Sequence, residues 1–170
     1  MKENIELINR RLEKNKDFRI YIDSIIKDST LFLQSNFRHL EVHDYRYDVD
    51  EAVKELGLDS ELIHQLVEDY VIQILKSSVQ FVEHIDKLKI DRDNDAQLNY
   101  DSIRELAHKN LGVARNLRIE DAIIFLHEMM TKDDLEYLSK CAHALESCAI
   151  KLKPICAYET MKLMKLKDSL

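Results

Sequence analysis

The stretch RELAHKNLGVARNLRIEDA, residues 104–122, decides how this chain is read. Its apolar residues recur at three- and four-residue intervals, which predicts a helix with one buried side. Gly112 stands inside that pattern. The chain has only two glycines in 170 residues, and a glycine within a helix costs about 0.5–1 kcal/mol relative to alanine. Placed on a wheel at about 100° per residue from Ile103, the residues Ile103, Leu106, Ala107, Val113, Ala114 and Leu117 share one arc of roughly 120°. That arc is the expected core face. His108 falls about 140° from its start and Gly112 about 180°. Arg104 and Arg115 fall beside His108. The prediction is an imidazole facing solvent, bare backbone one turn later, and two guanidinium groups in reach. Near neutral pH an unperturbed imidazole is largely uncharged and can act as a nucleophile. A phosphoryl group placed on it would be matched by arginine, and Gly112 would leave room for a partner approaching the ring. A surface histidine beside a glycine that eases helix packing fits the same wheel.

The rest of the chain predicts an all-α protein, an antiparallel helical bundle. Two Gly and one Pro are too few for a chain of many β-turns, and 34% charged with 45% hydrophobic residues suits amphipathic helices. Helical spacing runs from 16 to about 36 (Phe18, Ile22, Ile25, Ile26, Phe32), preceded by a weaker helix over the first fifteen residues. FRHLEVHDYRYD reads as a connection. DVDEAVKELG is a short helix ended by Gly57. Asp59 or Ser60 caps a long helix from 61 to about 88, with room for a break. Asn99 or Asp101 opens the His108 helix, which runs to about 117. Arg118 and Ile119 turn the chain into a helix ending near 131. Two more helices follow, separated by Pro154. Short connections throughout suit a bundle.

The net charge of −7 argues against general nucleic-acid binding and against an anionic membrane surface. No apolar run approaches the ~18 residues of a spanning helix, and the N-terminus lacks the apolar core of a signal peptide. Cys141, Cys148 and Cys156 are odd in number and lack paired short spacings, so they are expected as reduced, mostly buried thiols in a cytoplasmic protein.

Asp101 to Leu117, reading D-S-I-R-E-L-A-H-K-N-L-G-V-A-R-N-L, resembles the signature of the histidine-containing phosphotransfer (HPt) domain family, roughly A-H-x-L-K-G-x-A-x-x-L. The upstream segment YDVDEAVKELGLDSELIHQLVEDYVIQ is similar to the opening helices of such domains. Good similarity covers about 48–131, and the next helix follows more loosely. The resemblance implies residues 1–47 as a helical extension, and residues 48–170 as an HPt-like four-helix bundle with an additional C-terminal helix. It implies His108 as phosphoryl acceptor through Nε2, and Gly112 as the residue that gives steric access. It also implies a phosphorelay intermediate of two-component signalling, whose partners are a response-regulator receiver domain and/or a hybrid histidine kinase. Such a chain is a carrier more than an enzyme, has no cofactor of its own, and takes the Mg²⁺ from its receiver partner. The family usually has Leu-Lys before the glycine; here Asn110 and Leu111 stand there. Asn110 then points into the core face and needs a partner. Leu111 replaces the basic residue, leaving Lys109, Arg104 or Arg115 to supply charge, and it enlarges an apolar patch beside His108.

Other readings compete. Thirty-five residues on, residues 134–152 repeat the pattern with His143 predicted exposed, so His143 is a secondary candidate. There Glu146 takes the basic position, where it would repel phosphate, and Ser147 takes the glycine position. Glu61–His64 and Glu105–His108 have the Glu-x-x-His spacing of di-iron bundles, whose ligands must project inward; the wheel places these outward. His39 and His43 could form half a metal site if their segment were helical. Finally, a bundle of this shape could serve as an interaction module without phosphotransfer. The N-terminal extension leaves room for docking or a homo-oligomer.

Overall fold

The structure, a computed structural model, describes residues 2–169, and every regular element among them is helical. The helices are α1 (Lys2–Asn36), α2 (Val49–Leu56), α3 (Ser60–Asp93), α4 (Asp101–Leu117), α5 (Glu120–Thr131), α6 (Leu135–Leu152) and α7 (Pro154–Asp168). A single 3₁₀ turn, Arg38–Leu40, follows α1.

The helix starts have legible chemical causes. Asp48, Asp59 and Asp134 each accept a hydrogen bond from a backbone N–H three residues on, at 3.1, 2.8 and 3.1 Å. Such caps satisfy donors that no helix can satisfy for itself, each contributing about 1 kcal/mol. α4 opens at Asp101 behind Tyr100, where Asn99 or Asp101 was expected to cap it, and Asn99 Oδ1 accepts from the Asp101 N–H at 2.9 Å. Gly57 ends α2 with φ of 67°, and Pro154 is the first residue of α7, where its missing N–H is not needed. The α4–α5 turn uses a left-handed residue that is not glycine, Arg118 at φ 62°.

Two helices differ from expectation. α1 is one continuous helix from Lys2, where two segments were expected, and α3 runs unbroken to Asp93, beyond 88. In both cases the apolar spacing fades into polar residues with no Gly or Pro, so nothing stops the backbone hydrogen-bond ladder where the amphipathic pattern ends.

Helices α3, α4, α5 and α6 form a ring in which each packs on the next and α6 closes onto α3. Named pairs set the direction. Arg92 meets Glu136 while His64 meets Lys153, so α3 and α6 run oppositely. Tyr137 meets Glu128 across the short α5–α6 connection. Phe81, Ile85, Ile103, Ala107, Phe125, Leu126, Met129, Leu138 and Leu145 fill the centre. α7 lies along α3 and α6, and α2 covers the start of α3 through Ala52, Ile63 and Val67. α1 packs on α6, and Leu33 and Phe37 at its end join the same buried core. The Phe37 ring meets Phe125 edge-on at 4.8 Å.

Two tyrosines of the 37–48 connection fasten it to the α4–α5 turn. Tyr47 donates its hydroxyl to the Leu117 carbonyl at 2.7 Å, and Tyr45 donates to the Arg118 carbonyl at 3.3 Å while accepting from the Glu120 N–H at 3.1 Å. These are end groups of α4 and α5 that lack partners within their helices. Burial pushes the Tyr45 phenol up to about 12, so it stays a donor.

Candidate functional site

α4 presents His108, Lys109, Gly112 and Arg115 to solvent. His108, Gly112 and Arg115 are spaced by four and three residues, which stacks them along one outer stripe of the helix. Glu105, one turn before His108, is exposed on the same side. A Cβ built on Gly112 would meet no atom within 4 Å outside its own helix turn. The glycine therefore relieves no crowding within this chain, and the packing explanation fails at this position.

The buried side of α4 fixes that orientation. Ile103, Ala107, Leu111, Ala114 and Leu117 are buried, and so is Asn110, at 1% exposure. Asn110 Nδ2 donates to Ser77 Oγ of α3 at 3.0 Å and to the Leu106 carbonyl at 2.9 Å. The need for a partner is thus met by a serine one helix away, and the α3–α4 seam gains a polar lock. Breaking such a lock leaves a buried group unsatisfied.

Two apolar positions trade places relative to the wheel. Leu111, expected at the edge of an apolar patch beside His108, is buried at 3% exposure, and Val113, expected in the core, is 37% exposed. The buried arc is rotated by roughly 40° toward Leu111, because α5 packs on that flank of α4 as α3 packs on the other. The apolar surface next to Gly112 is consequently Val113.

Arg104 is not available to His108. Its guanidinium donates to the Met129 carbonyl at the end of α5, pairs with Asp133 at 2.6 Å, and stacks over the Tyr100 ring at 4.9 Å. The sequence wheel placed Arg104 correctly around the helix but could not show that three groups from elsewhere would claim it. Arg115 and Lys109 make no ion pair among the described residues. They are the cations left to the site.

His143 lies across the ring from α4, on α6. It is exposed, yet its ring sits 3.9 Å from Phe32 of α1, centroid to centroid. Ser147, at the position corresponding to Gly112, is buried, and α1 and α7 both pack on this helix. The structure separates two histidines that the sequence pattern made look alike.

Metal chemistry finds little support in the side-chain geometry. Glu61, His64, Glu105 and His108 are all exposed, outside the ring that di-iron ligands would have to enter. His39 lies in the 3₁₀ turn with Nε2 3.2 Å from the Tyr137 hydroxyl. Among the described residues no group of three or more His, Cys, Asp or Glu side chains converges on a point. Cys141 and Cys148 are buried and Cys156 is half-buried, all as free thiols. Burial pushes the Cys141 thiol up to about 12 and raises the other two. Groups so displaced are poor thiolates. No described helix is long and apolar enough to cross a membrane.

Compared with protein-family models, curated proteins and solved structures, the chain matches none. The functional reading therefore rests on the α4 face itself.

Proposed function

We propose that this protein is a cytoplasmic phosphorelay intermediate that carries a phosphoryl group on His108 and exchanges it with the aspartate of a response-regulator receiver domain. A hybrid histidine kinase is a second source of the same group. One observation carries this reading: an exposed glycine, one turn from an exposed histidine, at a helix-interior position where a side chain would meet nothing. Alanine there would strengthen the helix. Its absence makes physical sense if a second molecule must approach the imidazole closely. The similarity of residues 101–117 to the HPt signature supports the same reading.

In the proposed step the Nε2 lone pair forms the N–P bond as the acyl-phosphate P–O bond breaks. The electron pair of that bond returns to the partner's aspartate as carboxylate. Arg115 and Lys109 contribute positive charge near the incoming phosphoryl group, while Glu105 opposes it. The chain positions the imidazole and keeps the approach open; Mg²⁺ would come with the receiver. The diversion of Arg104 to Asp133 favours a second reading, an interaction module of the same shape without transfer, because it removes positive charge from the site.

The test is incubation with a panel of phosphorylated receiver domains, scoring acid-labile, base-stable label on this chain. The carrier reading expects label, and expects Gly112→Leu to slow its appearance at unchanged helix content. Receivers that bind and leave no label would establish the interaction module instead.

A further inference from the structure

A cavity of about 640 Å³ opens where α3 begins and α6 ends, between α1 and the 43–49 connection. No residue of α4 lines it, so it is independent of His108 and of the function proposed for that face. Three cationic side chains do line it: Arg46 from the connection, and Lys151 and Lys153 from the end of α6. They come together although more than a hundred residues separate Arg46 from the lysines, which is why no sequence motif announces them. In a chain of net charge −7, this is a local concentration of the minority sign.

None of the three forms an ion pair among the described residues. Lys151 donates to the His43 carbonyl, and Lys153 Nζ lies 2.7 Å from His64 Nδ1. Both contacts offer a lone pair in place of a countercharge, and the Lys151 charge also acts on the buried Asp121 carboxyl. Two carboxyls border the cavity. Asp44 is exposed, and Asp121 is buried, with its carboxyl held above the usual range by loss of solvent. A helix C-terminus attracts cations through its dipole, which accounts for lysines at the end of α6. It does not account for Arg46, which a separate segment brings to the same space. The wall also carries an unfinished polar group: His43 Nδ1 is buried with no hydrogen-bond partner, alone in this among the described residues. Tyr47, Val49 and Leu152 supply an apolar side.

We infer that this cavity binds a small phosphorylated organic anion. Arg46, Lys151 and Lys153 hold the phosphate, and the organic body lies against Tyr47, Val49 and Leu152. Converging cations repel one another until an anion enters, and arginine offers a phosphate two parallel donors. The cavity volume falls in the range of small-molecule sites.

Ribose 5-phosphate and inorganic phosphate are the probes, titrated into the full chain by calorimetry at constant ionic strength, with ribose as the uncharged control. The expected result is saturable binding of a phosphorylated probe, one per chain, with none for ribose. Arg46→Gln and Lys153→Gln should each weaken it by about tenfold or more. Arg46 is exposed and makes no side-chain hydrogen bond or ion pair among the described residues, so its variant should retain the wild-type circular dichroism spectrum even if the lysine variant does not. No saturable binding of either phosphate at millimolar concentration would overturn the assignment. So would equal binding of ribose, or an affinity unchanged in the Arg46 variant.

Discussion

α4 and α6 carry nearly the same pattern, an Ala-His pair on an amphipathic helix, and the fold treats them oppositely. The outer face of α4 is left open around His108 and Gly112, whereas α6 has α1 and α7 packed on it and Phe32 lying on His143. The difference does not reside in either helix. It comes from the flanking segments, which had only one side of the ring to cover. Both histidines stay exposed, and the His143 ring has Phe32 of α1 packed beside it.

The largest effect expected from breaking this contrast comes from Phe37→Ala. This ring joins the end of α1 to the common core against Phe125, so unfolding in urea should show a loss of about 3–5 kcal/mol. A loss below about 1 kcal/mol would mean that α1 is not an integral cover. Asn110→Ala should cost about 1–3 kcal/mol, because Ser77 Oγ loses its partner in a buried seam. A double variant with Ser77→Ala should cost less than the two single changes added together. Gly112→Ala should stabilise the protein by about 0.5–1 kcal/mol, since the helix gains and nothing is crowded. A destabilised variant would show that the glycine serves internal packing after all.

The smallest expected effect is a pH dependence. Burial raises the folded pKa of Asp121 above its unfolded value. The stability linked to its protonated form is complete below the ordinary carboxylate pKa and is lost as pH rises through the folded value. Asp121→Asn has no such loss, so its melting temperature should gain on wild type as pH rises from below the ordinary carboxylate pKa. A gap that stays constant or narrows would contradict the assignment.

Much of the fold was legible because it follows from local chemistry. The Asp59 cap, the Gly57 stop and the Pro154 break act within a few residues, and each appears where the sequence places it. What escaped depends on contacts distant in sequence. Tyr45 and Tyr47 hold the α4–α5 turn from 73 and 70 residues away. Asp133 claims Arg104, Phe32 packs beside His143, and Arg46 joins two lysines at the end of α6. The exchange of Leu111 and Val113 has the same origin. A helix wheel gives the width of a buried arc, but neighbouring helices choose its centre.

The most direct measurement compares His108→Gln with His143→Gln in transfer from a phosphorylated receiver domain. Both side chains are exposed, so both variants should fold as wild type does. Acid-labile label should vanish in the first and persist at the wild-type level in the second. Label that survives His108→Gln, or disappears with His143→Gln, would contradict the account.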